Sequence, residues 1–316
     1  MKIKGIKVLV TGGCGFIGGS LVDRLLQEGA EVTVVDIKVH PKSIFVMNNL
    51  TRQVKLELVD VRDKKNLFLV FTKNKPDYVI HLAADPLVEV VYNNPYRALE
   101  TNILGTVNIL EICRKLDRIK GIIVASTDKA YGKTKKAYTE DTPLRGDHPY
   151  GVSKACADLI SYSYFQTYNL PVVITRLANV YGEGDLNFHR IIPDICCAVI
   201  ENKVLNLRSN GKYVRDYIYI KDAVDAYIFL LRNIEKVKGE AFNFSSYDNL
   251  SVIDVIKKSE KALKVIIPYT IKFTAKNEIP FQKLNIVKAR KFGWHPFYTM
   301  DNVLNDTLQW YRKILY

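Results

Sequence analysis

The most constraining feature of the sequence is the segment IKVLVTGGCGFIG, residues 6–18, which joins a short apolar run to a glycine-rich turn. The run from Ile6 to Val10 is typical of a strand buried on both faces, and the GSLVDRLLQEG segment after it has apolar residues at helical spacing. Gly29 predicts the end of that helix. In a strand–turn–helix unit, glycines let the backbone approach a pyrophosphate, which rests on the helix N-terminus. The segment therefore predicts nucleotide binding.

The second strand, EVTVVD, ends in an acidic residue, Asp36, eighteen residues after Gly18. A carboxylate at that place accepts hydrogen bonds from both ribose hydroxyls of NAD and repels the extra phosphate of NADP. We therefore expect NAD as the cofactor. Because Lys38 lies two residues after Asp36, NADP is not excluded as an alternative. Asp60 and Val61, at the end of the next strand, are expected to face the adenine. The residues expected to bind the cofactor are Gly12, Gly15, Phe16, Ile17, Gly18, Asp36, Asp60, Val61, Leu82, Ala83, Ala84, Ser126, Tyr150 and Lys154.

Strand and helix patterns alternate along the first half of the chain. VKLELVDV, DYVIHLAA and GIIVAST predict strands, while KKNLFLVFTKN and the stretch from about Pro95 to Leu116 predict helices. Such alternation predicts an α/β fold, a doubly wound (Rossmann) parallel sheet with right-handed crossovers. After about residue 180 the alternation weakens. We predict an NAD-binding domain from residues 1–179 plus about 213–245, and a smaller, interleaved C-terminal substrate lobe from about 180–212 plus 246–316.

Composition excludes several classes of function. No stretch of about 18 uncharged apolar residues is present, so no membrane span is expected, and the N-terminal segment lacks the features of a signal peptide. The five cysteines are scattered without a Cys-x-x-Cys pair, which favours free thiols in a reducing cytoplasm over disulfides or a metal site. The net charge of +13 is spread along the chain, with no basic tail. We therefore expect an anionic small molecule as the ligand and no nucleic acid.

A second motif places proton-transfer groups at a strand end. Tyr150 and Lys154, in PYGVSK, are four residues apart at the predicted start of a helix, so both side chains lie on one face. An ammonium beside a phenol is expected to lower the phenol's pKa and make Tyr150 a base for a sugar hydroxyl. Thr127 or Ser126, at the end of the GIIVAST strand, is expected to assist. His81 is expected to be a packed strand residue.

These motifs together resemble the extended short-chain dehydrogenase/reductase family that acts on nucleotide sugars. The matching segments are TGGCGFIG, HLAADPLVEVVYNNPYRALETNILGTVNILE, STDKAYG, YGVSK, RLANVYG, RDYIYIKDA and KARKFGWHPFYTMDNVLNDTLQWYR. The resemblance implies oxidation at C4 of an NDP-hexose by NAD, with Tyr150 as base. This chain is somewhat shorter than the family members that it most resembles, and its loops near 265–280 are abbreviated. This departure from the family pattern leaves open which nucleotide base and which hexose the substrate carries.

The positions of Asp128 and Lys129 carry different residue types in enzymes of this family that catalyse different reactions. The 4-epimerases usually have small residues at these two positions, whereas the 4,6-dehydratases carry an acid pair or an acid–amine pair. STDKAYG and NVYGEGDLNFHRIIP look most like the CDP-glucose 4,6-dehydratases. The resemblance implies that Lys129 removes the C5 proton and Asp128 protonates the departing C6 hydroxyl, although the two roles are interchangeable at this stage. A solvated Asp–Lys pair, a 4-epimerase and a non-catalytic NAD-sensing module are the alternatives.

The substrate lobe offers candidate ligands for a sugar nucleotide. Guanidinium groups suit phosphate oxygens, so Arg208 and Arg215 are expected to bind the diphosphate, and the resemblance adds Asn179 and Asn187. In the alternative interpretation, Arg215 forms a surface ion pair with Asp216, and Asn187 caps a helix. The resemblance also implies a homodimer formed through the helices near 95–116 and after Tyr150. Tyr162, Tyr164, Phe165 and Tyr168 would supply its aromatic surface.

Overall fold

The main sheet has seven strands, all parallel, and confirms the predicted doubly wound α/β fold. The computed structural model describes residues 1–86, 88–274 and 279–316, and for residues 88–90 the backbone only. Leu87 of the HLAADPLVEVV motif and residues 275–278 of the 265–280 loop region therefore lie outside the described residues. The sheet order is β10, β6, β5, β4, β1, β2, β3. Its strands are β1 (Lys7–Thr11), β2 (Glu31–Asp36), β3 (Lys55–Leu58), β4 (Tyr78–His81), β5 (Gly121–Thr127), β6 (Val172–Leu177) and β10 (Ala241–Phe244).

Helices cover both faces of this sheet. The helices are α1 (Phe16–Gln27), α2 (Ile44–Met47), α3 (Lys64–Asn74), α4 (Val88–Asn93), α5 (Pro95–Leu99), α6 (Gly105–Lys115), α7 (Pro149–Tyr168), α8 (Ile191–Glu201), α9 (Ile220–Val237), α10 (Val252–Leu263), α11 (Val287–Lys291) and α12 (Met300–Leu315). Alternate strand residues enter two separate cores: Val8 and Val10 pack with α1 and α9, whereas Leu9 packs with α3 and α6. The period of two along each strand produces this division, since neighbouring side chains point to opposite faces.

The predicted helix near residues 95–116 contains a π-helical turn. Glu100–Leu104 is π-helical and joins α5 to α6 without a break. This turn holds the buried Asn102, which accepts a hydrogen bond from the Asp85 amide and donates to Ser153 Oγ of α7. The extra residue of a π turn is a local adjustment of the helix, and such turns are frequent at functional sites.

The C-terminal elements form two small sheets beside the main one. β7 (Asn179–Tyr181), β9 (Val214–Tyr219) and β11 (Asp248–Ser251) make the first, and β8 (Leu205–Leu207) pairs with β12 (Tyr269–Ile271) in the second. β9 thus pairs outside the seven-stranded sheet, although the helix that follows it, α9, packs against β5 and β6. The division into two lobes at the residue numbers given above remains a prediction. Of the helices in the described ranges, none combines the length and apolarity needed to cross a bilayer.

Candidate active site

The glycine turn after β1 leaves no room for side chains. Gly12 has φ +70°, and a Cβ there would lie 2.8 Å from the amide nitrogen of Ala83. A Cβ on Gly18 would lie 2.0 Å from the carbonyl oxygen of Gly12. Helix α1 begins at Phe16 with Gly15 as its N-cap residue, and no side chain caps it. Its first amide groups are therefore available to an anion, as a pyrophosphate-binding turn requires.

Asp36 lies beside this turn at the end of β2. Its carboxylate accepts hydrogen bonds from the amides of Cys14 at 2.9 Å and Ile37 at 2.8 Å. Burial raises the pKa of Asp36, while those amides and Lys38 act in the opposite direction. The glycine turn and the carboxylate are thus tied together, in the arrangement that holds a phosphate and an adjoining ribose.

The other residues predicted for the cofactor lie along the same sheet edge. The carboxylate of Asp60 pairs with Arg62, with 2.7 Å between Oδ2 and Nη2, and Val61 is buried. The amide of Ala83 donates to Thr11 Oγ1 at 3.2 Å, and Leu82 donates to the Thr11 carbonyl. Phe16, Ile17 and Ala84 are half-buried around the turn.

Ser126 is a buried hydroxyl that lacks a hydrogen-bond partner among the residues that the structure describes. A buried polar atom without a partner is costly, so Ser126 fits a site that a polar ligand completes. His81, in contrast, is fully packed: its ring contacts Thr11 at 2.7 Å and Thr106 at 3.1 Å. Burial lowers the pKa of His81 to about 3, with a smaller contribution from Lys154, so its role is that of a neutral packed residue.

Asp128 and Lys129 form an ion pair directly after β5, in which the Asp128 side chain is buried and the Lys129 side chain is partly exposed. Thr127 Oγ1 donates to Asp128 Oδ1 at 3.0 Å, and Lys129 Nζ donates to the same oxygen at 3.0 Å. Asp128 is 0% exposed, so the alternative of a solvated pair in a loop is wrong. Its Oδ2 atom is buried and has no hydrogen-bond partner within the described residues. Burial lowers the pKa of Lys129. The carboxylate of Asp128 acts in the opposite direction, whereas the charges of Arg190 and Arg215 lower this pKa further.

Tyr150 and Lys154 lie on the first turns of α7. The N-cap residue His148 accepts a hydrogen bond from the Gly151 amide, and Pro149 occupies the first helical position. Burial lowers the pKa of Lys154 to about 8, with Asp158 opposing. Burial and the charge of Asp128 raise the pKa of Tyr150 to about 12, while Arg190 and the Thr127 hydroxyl lower it less. The expectation of a phenol with lowered pKa is therefore wrong for the ligand-free chain, because desolvation outweighs the nearby cations.

The predicted substrate residues divide into two groups. Asn179 contacts Lys129: its Oδ1 accepts from Lys129 Nζ at 2.9 Å, and its Nδ2 donates to the Asp216 carbonyl. Asn187 lies in a turn, where its Oδ1 accepts from the amide of His189. Helix α8 begins at Ile191 after the N-cap residue Arg190, so the interpretation of Asn187 as its cap is wrong.

Arg208 and Arg215 lie on the side of the small sheets. Arg208 Nη2 donates to the His189 carbonyl at 3.4 Å, and Arg215 lies on β9. Asp216 is 2% exposed, and its carboxylate accepts from the Leu284 amide and from Asn249. The interpretation of Arg215 and Asp216 as a surface ion pair is therefore wrong.

Two residues near the site were not identified from the sequence. Arg190 donates to Asp185 Oδ2 at 2.9 Å and lowers the pKa of Tyr150. The ring of His148 lies 6.2 Å from that of Tyr150 with an interplanar angle of 10°. The HPY sequence, a polar residue before a first-turn proline, could have identified His148 as an N-cap. No local pattern distinguishes Arg190.

A cavity of about 480 Å³ lies between α8 and β8. Its lining includes Phe188, His189, Asp194, Asn206 and Arg208. Across the ranges 1–86, 88–274 and 279–316, no cluster of three or more His, Cys, Asp or Glu side chains is arranged to hold a metal ion. The site thus combines a glycine turn, a carboxylate at a strand end, a Tyr–Lys pair and an Asp–Lys pair whose carboxylate is buried.

The chain is similar in sequence to a protein family and in fold to several solved structures. A family model described as GDP-mannose 4,6 dehydratase matches residues 9–307. The dTDP-glucose 4,6-dehydratase of Neisseria meningitidis serogroup B is 29% identical over 335 residues, which cover 96% of this chain and 93% of that protein. Two solved structures cover 98% of this chain at 28% identity. They are the UDP-glucose 4-epimerase of Thermotoga maritima with UDP-glucose (TM-score 0.90, 100% of that chain) and the dTDP-glucose 4,6-dehydratase of Bacillus anthracis with NAD (TM-score 0.85, 97% of that chain).

Proposed function

Because the chain belongs to the family described as GDP-mannose 4,6 dehydratase, we propose that it is an NAD-dependent nucleotide-sugar 4,6-dehydratase. Membership makes it an NAD-dependent nucleotide-sugar dehydratase or epimerase. The observation that carries the choice of dehydratase is the ion pair of Asp128 and Lys129, which supplies an acid and a base beside Tyr150. The proposed reaction converts an NDP-hexose to an NDP-4-keto-6-deoxyhexose and water.

The residues around the glycine turn fit NAD. Gly12, Gly15 and Gly18 would bring the α1 amides to the pyrophosphate, and Asp36 would accept both hydroxyls of a ribose. Asp60 and Val61 would line the adenine, and the unpartnered Ser126 hydroxyl would lie near the nicotinamide end. NAD, when bound, supplies the acceptor for the C4 hydride, returns that hydride to C6, and adds a positive charge that favours the Tyr150 phenolate.

In the first half of the reaction, Tyr150 takes the proton of the C4 hydroxyl. Lys154 lies four residues away on the same face of α7 and stabilises the phenolate. The Thr127 hydroxyl, which lowers the pKa of Tyr150, would stabilise the developing phenolate. With NAD as the hydride acceptor, these three groups would be sufficient for oxidation of C4, which a 4-epimerase also requires.

In the second half, the C4 ketone acidifies the C5 proton. Burial lowers the pKa of Lys129 and so favours the neutral amine, which supports Lys129 as the base at C5. The Oδ2 atom of Asp128 is buried and has no hydrogen-bond partner in the described chain, so it could meet the C6 hydroxyl, which supports Asp128 as the acid there. Of the two interchangeable arrangements, we therefore propose Lys129 as the base and Asp128 as the acid.

The substrate's diphosphate would lie between the catalytic residues and the cavity. Arg208, Arg215, Asn179 and Asn187 are the proposed ligands, and Arg190, which borders the same space, is a further cation. We propose CDP-glucose as the first substrate to test, because residues 179–193 resemble those of CDP-glucose 4,6-dehydratases.

The test is incubation with CDP-, UDP-, GDP- and dTDP-hexoses followed by mass spectrometry. A dehydratase yields a product lighter by one water, whereas a 4-epimerase, the alternative that similarity to the Thermotoga enzyme supports, yields only isomers. The variants Asp128→Asn and Lys129→Met should retain NAD and still form some ketone but lose dehydration. Full dehydration by both variants would remove these residues from the mechanism. Turnover of no nucleotide sugar would favour an NAD-sensing module.

We also propose that the chain forms a homodimer through α5 and α7. Val152, Leu159 and Tyr162 lie on one face of α7 because they are seven and three residues apart, and Leu159 is 56% exposed. Tyr96 on α5 is 75% exposed. Tyr164 and Phe165 are instead half-buried, whereas Tyr168 is 52% exposed and has the Arg114 guanidinium over its ring.

Sedimentation equilibrium tests the dimer. Leu159→Lys should yield a monomer, whereas Leu69→Lys, a substitution of an equally exposed leucine on α3, should leave the mass unchanged. A monomeric wild-type chain at micromolar concentration would contradict the proposal.

A further inference from the structure

The amine of Lys129 donates to two side chains on different elements of the fold. Its Nζ atom lies 3.0 Å from Oδ1 of Asp128 and 2.9 Å from Oδ1 of Asn179, which is the first residue of β7. We propose that Asn179 is a positioning residue for Lys129, whose side-chain oxygen holds the amine so that the nitrogen lone pair is directed at the C5 proton. The inference rests on the proposed function and adds to it the group that orients its base.

The Asn179 side chain has one orientation that satisfies both of its neighbours. Its Nδ2 atom donates to the main-chain carbonyl of Asp216 at 3.0 Å, and a carbonyl oxygen can only accept. A flipped amide would place its oxygen against that carbonyl and its NH2 group against the N–H groups of Lys129. Asn179 therefore presents an acceptor to Lys129 and not a donor.

The Asp216 carbonyl is itself held in place by the small sheet of β7, β9 and β11. Asn179 and Asp216 lie on neighbouring parallel strands of that sheet, β7 and β9. Asp216 is 2% exposed, and its carboxylate accepts from the Leu284 amide and from Asn249 Nδ2, each at 2.6 Å. The small sheet thus fixes the acceptor that the Lys129 amine meets.

Two acceptors match the hydrogens of a neutral amine, which has two N–H bonds and one lone pair. Within the described residues, the side chains that accept from Lys129 Nζ are Asp128 and Asn179, so the lone pair takes the remaining tetrahedral direction. When the C5–H bond breaks, its proton forms the third N–H bond of Lys129. Its electron pair forms the C5–C6 double bond as the C6 oxygen leaves with a proton from Asp128, the proposed acid. The other two N–H bonds stay in place, so Lys129 returns the same proton to C5 when the hydride reaches C6.

Asn179 keeps one hydrogen for the substrate. Its NH2 group carries two hydrogens, and the Asp216 carbonyl accepts one of them. The second can meet an oxygen of the diphosphate. The contact with Lys129 therefore adds to the proposed role of Asn179 as a substrate ligand and does not replace it.

The experiment measures the pKa of Lys129 directly, in the NAD-bound chain without substrate. Protein that carries lysine labelled with ¹³C at Cε is titrated by NMR, and the Lys129 signal is identified by its absence from Lys129→Met. The variants are Asn179→Leu, which removes the acceptor at similar size, and Asn179→Asp, which replaces it with a carboxylate. The matched control, Asn305→Asp, adds the same charge on α12, where the native side chain donates to the Ala262 carbonyl.

We expect the midpoint of the Lys129 titration to move in opposite directions in the two variants. Loss of the acceptor in Asn179→Leu disfavours the ammonium and lowers the pKa of Lys129, whereas the new carboxylate in Asn179→Asp raises this pKa by about 1 or more. Asn305→Asp should leave the midpoint unchanged. All of these variants retain the other charged or titratable groups around Lys129, which are Asp128, Arg190, Arg215 and His148.

Single turnovers with the NDP-hexose that wild type dehydrates test the consequence for the reaction. The rise of NADH absorbance reports C4 oxidation, and its decay reports elimination and hydride return. At saturating substrate, Asn179→Leu should slow the decay about 100-fold more than the rise, the scale expected for a misplaced reacting group. In Asn179→Asp, the decay should recover as the pH is raised past the new midpoint of Lys129.

Equal Lys129 midpoints in wild type and both Asn179 variants, or shifts in the same direction, would overturn the inference while leaving the dehydratase function intact. Equal slowing of the rise and the decay would also overturn it, because a general disturbance of the site produces that result. The same holds if Asn305→Asp shifts the midpoint as far as Asn179→Asp does. A wild-type chain that dehydrates no NDP-hexose would overturn the proposed function and, with it, the role of Asn179 in the reaction.

Discussion

The buried ion pair between Arg176 of β6 and Asp158 of α7 should be a large contributor to stability. Arg176 donates to Asp158 through Nε at 2.8 Å and Nη2 at 2.9 Å, and both side chains are buried. Its Nη1 atom donates to Tyr131 OH and to the Glu140 carbonyl, each at 2.8 Å. Asp158→Asn keeps the shape and removes the charge, which leaves a buried guanidinium uncompensated. We expect a loss of about 3–5 kcal/mol in the free energy of unfolding.

Urea unfolding at pH 7, followed by far-ultraviolet circular dichroism, measures this loss. The double variant Asp158→Leu with Arg176→Met should recover part of it, because two apolar side chains leave no unpaired charge, although the Glu140 carbonyl then costs about 1–3 kcal/mol. The matched control is Asp225→Asn, which removes an exposed ion pair with Arg24 at 3.5 Å and should cost no more than about 1 kcal/mol. A loss below about 1 kcal/mol in Asp158→Asn would refute the reasoning, as would a double variant less stable than either single one.

Three further predictions concern the cofactor turn and the catalytic helix. Gly18→Ala places a Cβ 2.0 Å from the Gly12 carbonyl oxygen and should abolish NAD binding in equilibrium dialysis. Gly15→Ala places its Cβ 3.3 Å from the same oxygen and should keep measurable affinity for NAD. Equal affinities of the two variants would contradict the steric argument. Asp36→Asn should reduce the preference for NAD over NADP at least about 10-fold, because the 2′-phosphate of NADP no longer meets a full negative charge. Fluorescence titration with both cofactors measures this preference. An unchanged preference would count against Asp36 as the ribose ligand. Lys154→Met should stabilise the cofactor-free chain on the order of 3 kcal/mol below pH 8, and the gain should shrink as the pH rises to 10.5. The reason is that burial lowers the folded pKa of Lys154 to about 8 from 10.5, so the unfolded chain binds more protons in that window; a gain that is constant with pH would contradict this.

Much of the first half of the fold could be predicted from the sequence because its patterns are local. The helix Lys64–Asn74 and the strand Glu31–Asp36 begin and end where the apolar spacing and the flanking polar residues indicate. The π-helical turn at Glu100–Leu104 could not be predicted, because one additional residue in a helical turn leaves the apolar pattern nearly unchanged. The pairing of β9 depends on contacts across the chain, with Asn179–Tyr181 and Asp248–Ser251, which no local window contains.

The site was predictable in its residue types and less so in its electrostatics. Asp128 and Lys129 stand next to each other after a strand, and sequence alone leaves open whether such a pair is solvated or buried. Burial then reverses the expected direction for Tyr150, whose pKa rises through desolvation although cations lie nearby. Desolvation depends on the whole surrounding structure, so motif spacing cannot supply it.

The Asp128–Lys129 pair also bears on how new reactions arise in this fold. Both residues stand on one short turn after β5, where Asp128 accepts from Thr127, the last residue of β5, and Lys129 donates to Asn179, the first residue of β7. Under the proposed roles of Asp128 and Lys129, exchanging these two adjacent codons would add or remove a water-eliminating step on the same scaffold. Divergence between enzymes that isomerise a hexose and enzymes that deoxygenate it needs no change of topology, and directed evolution can begin at these two positions.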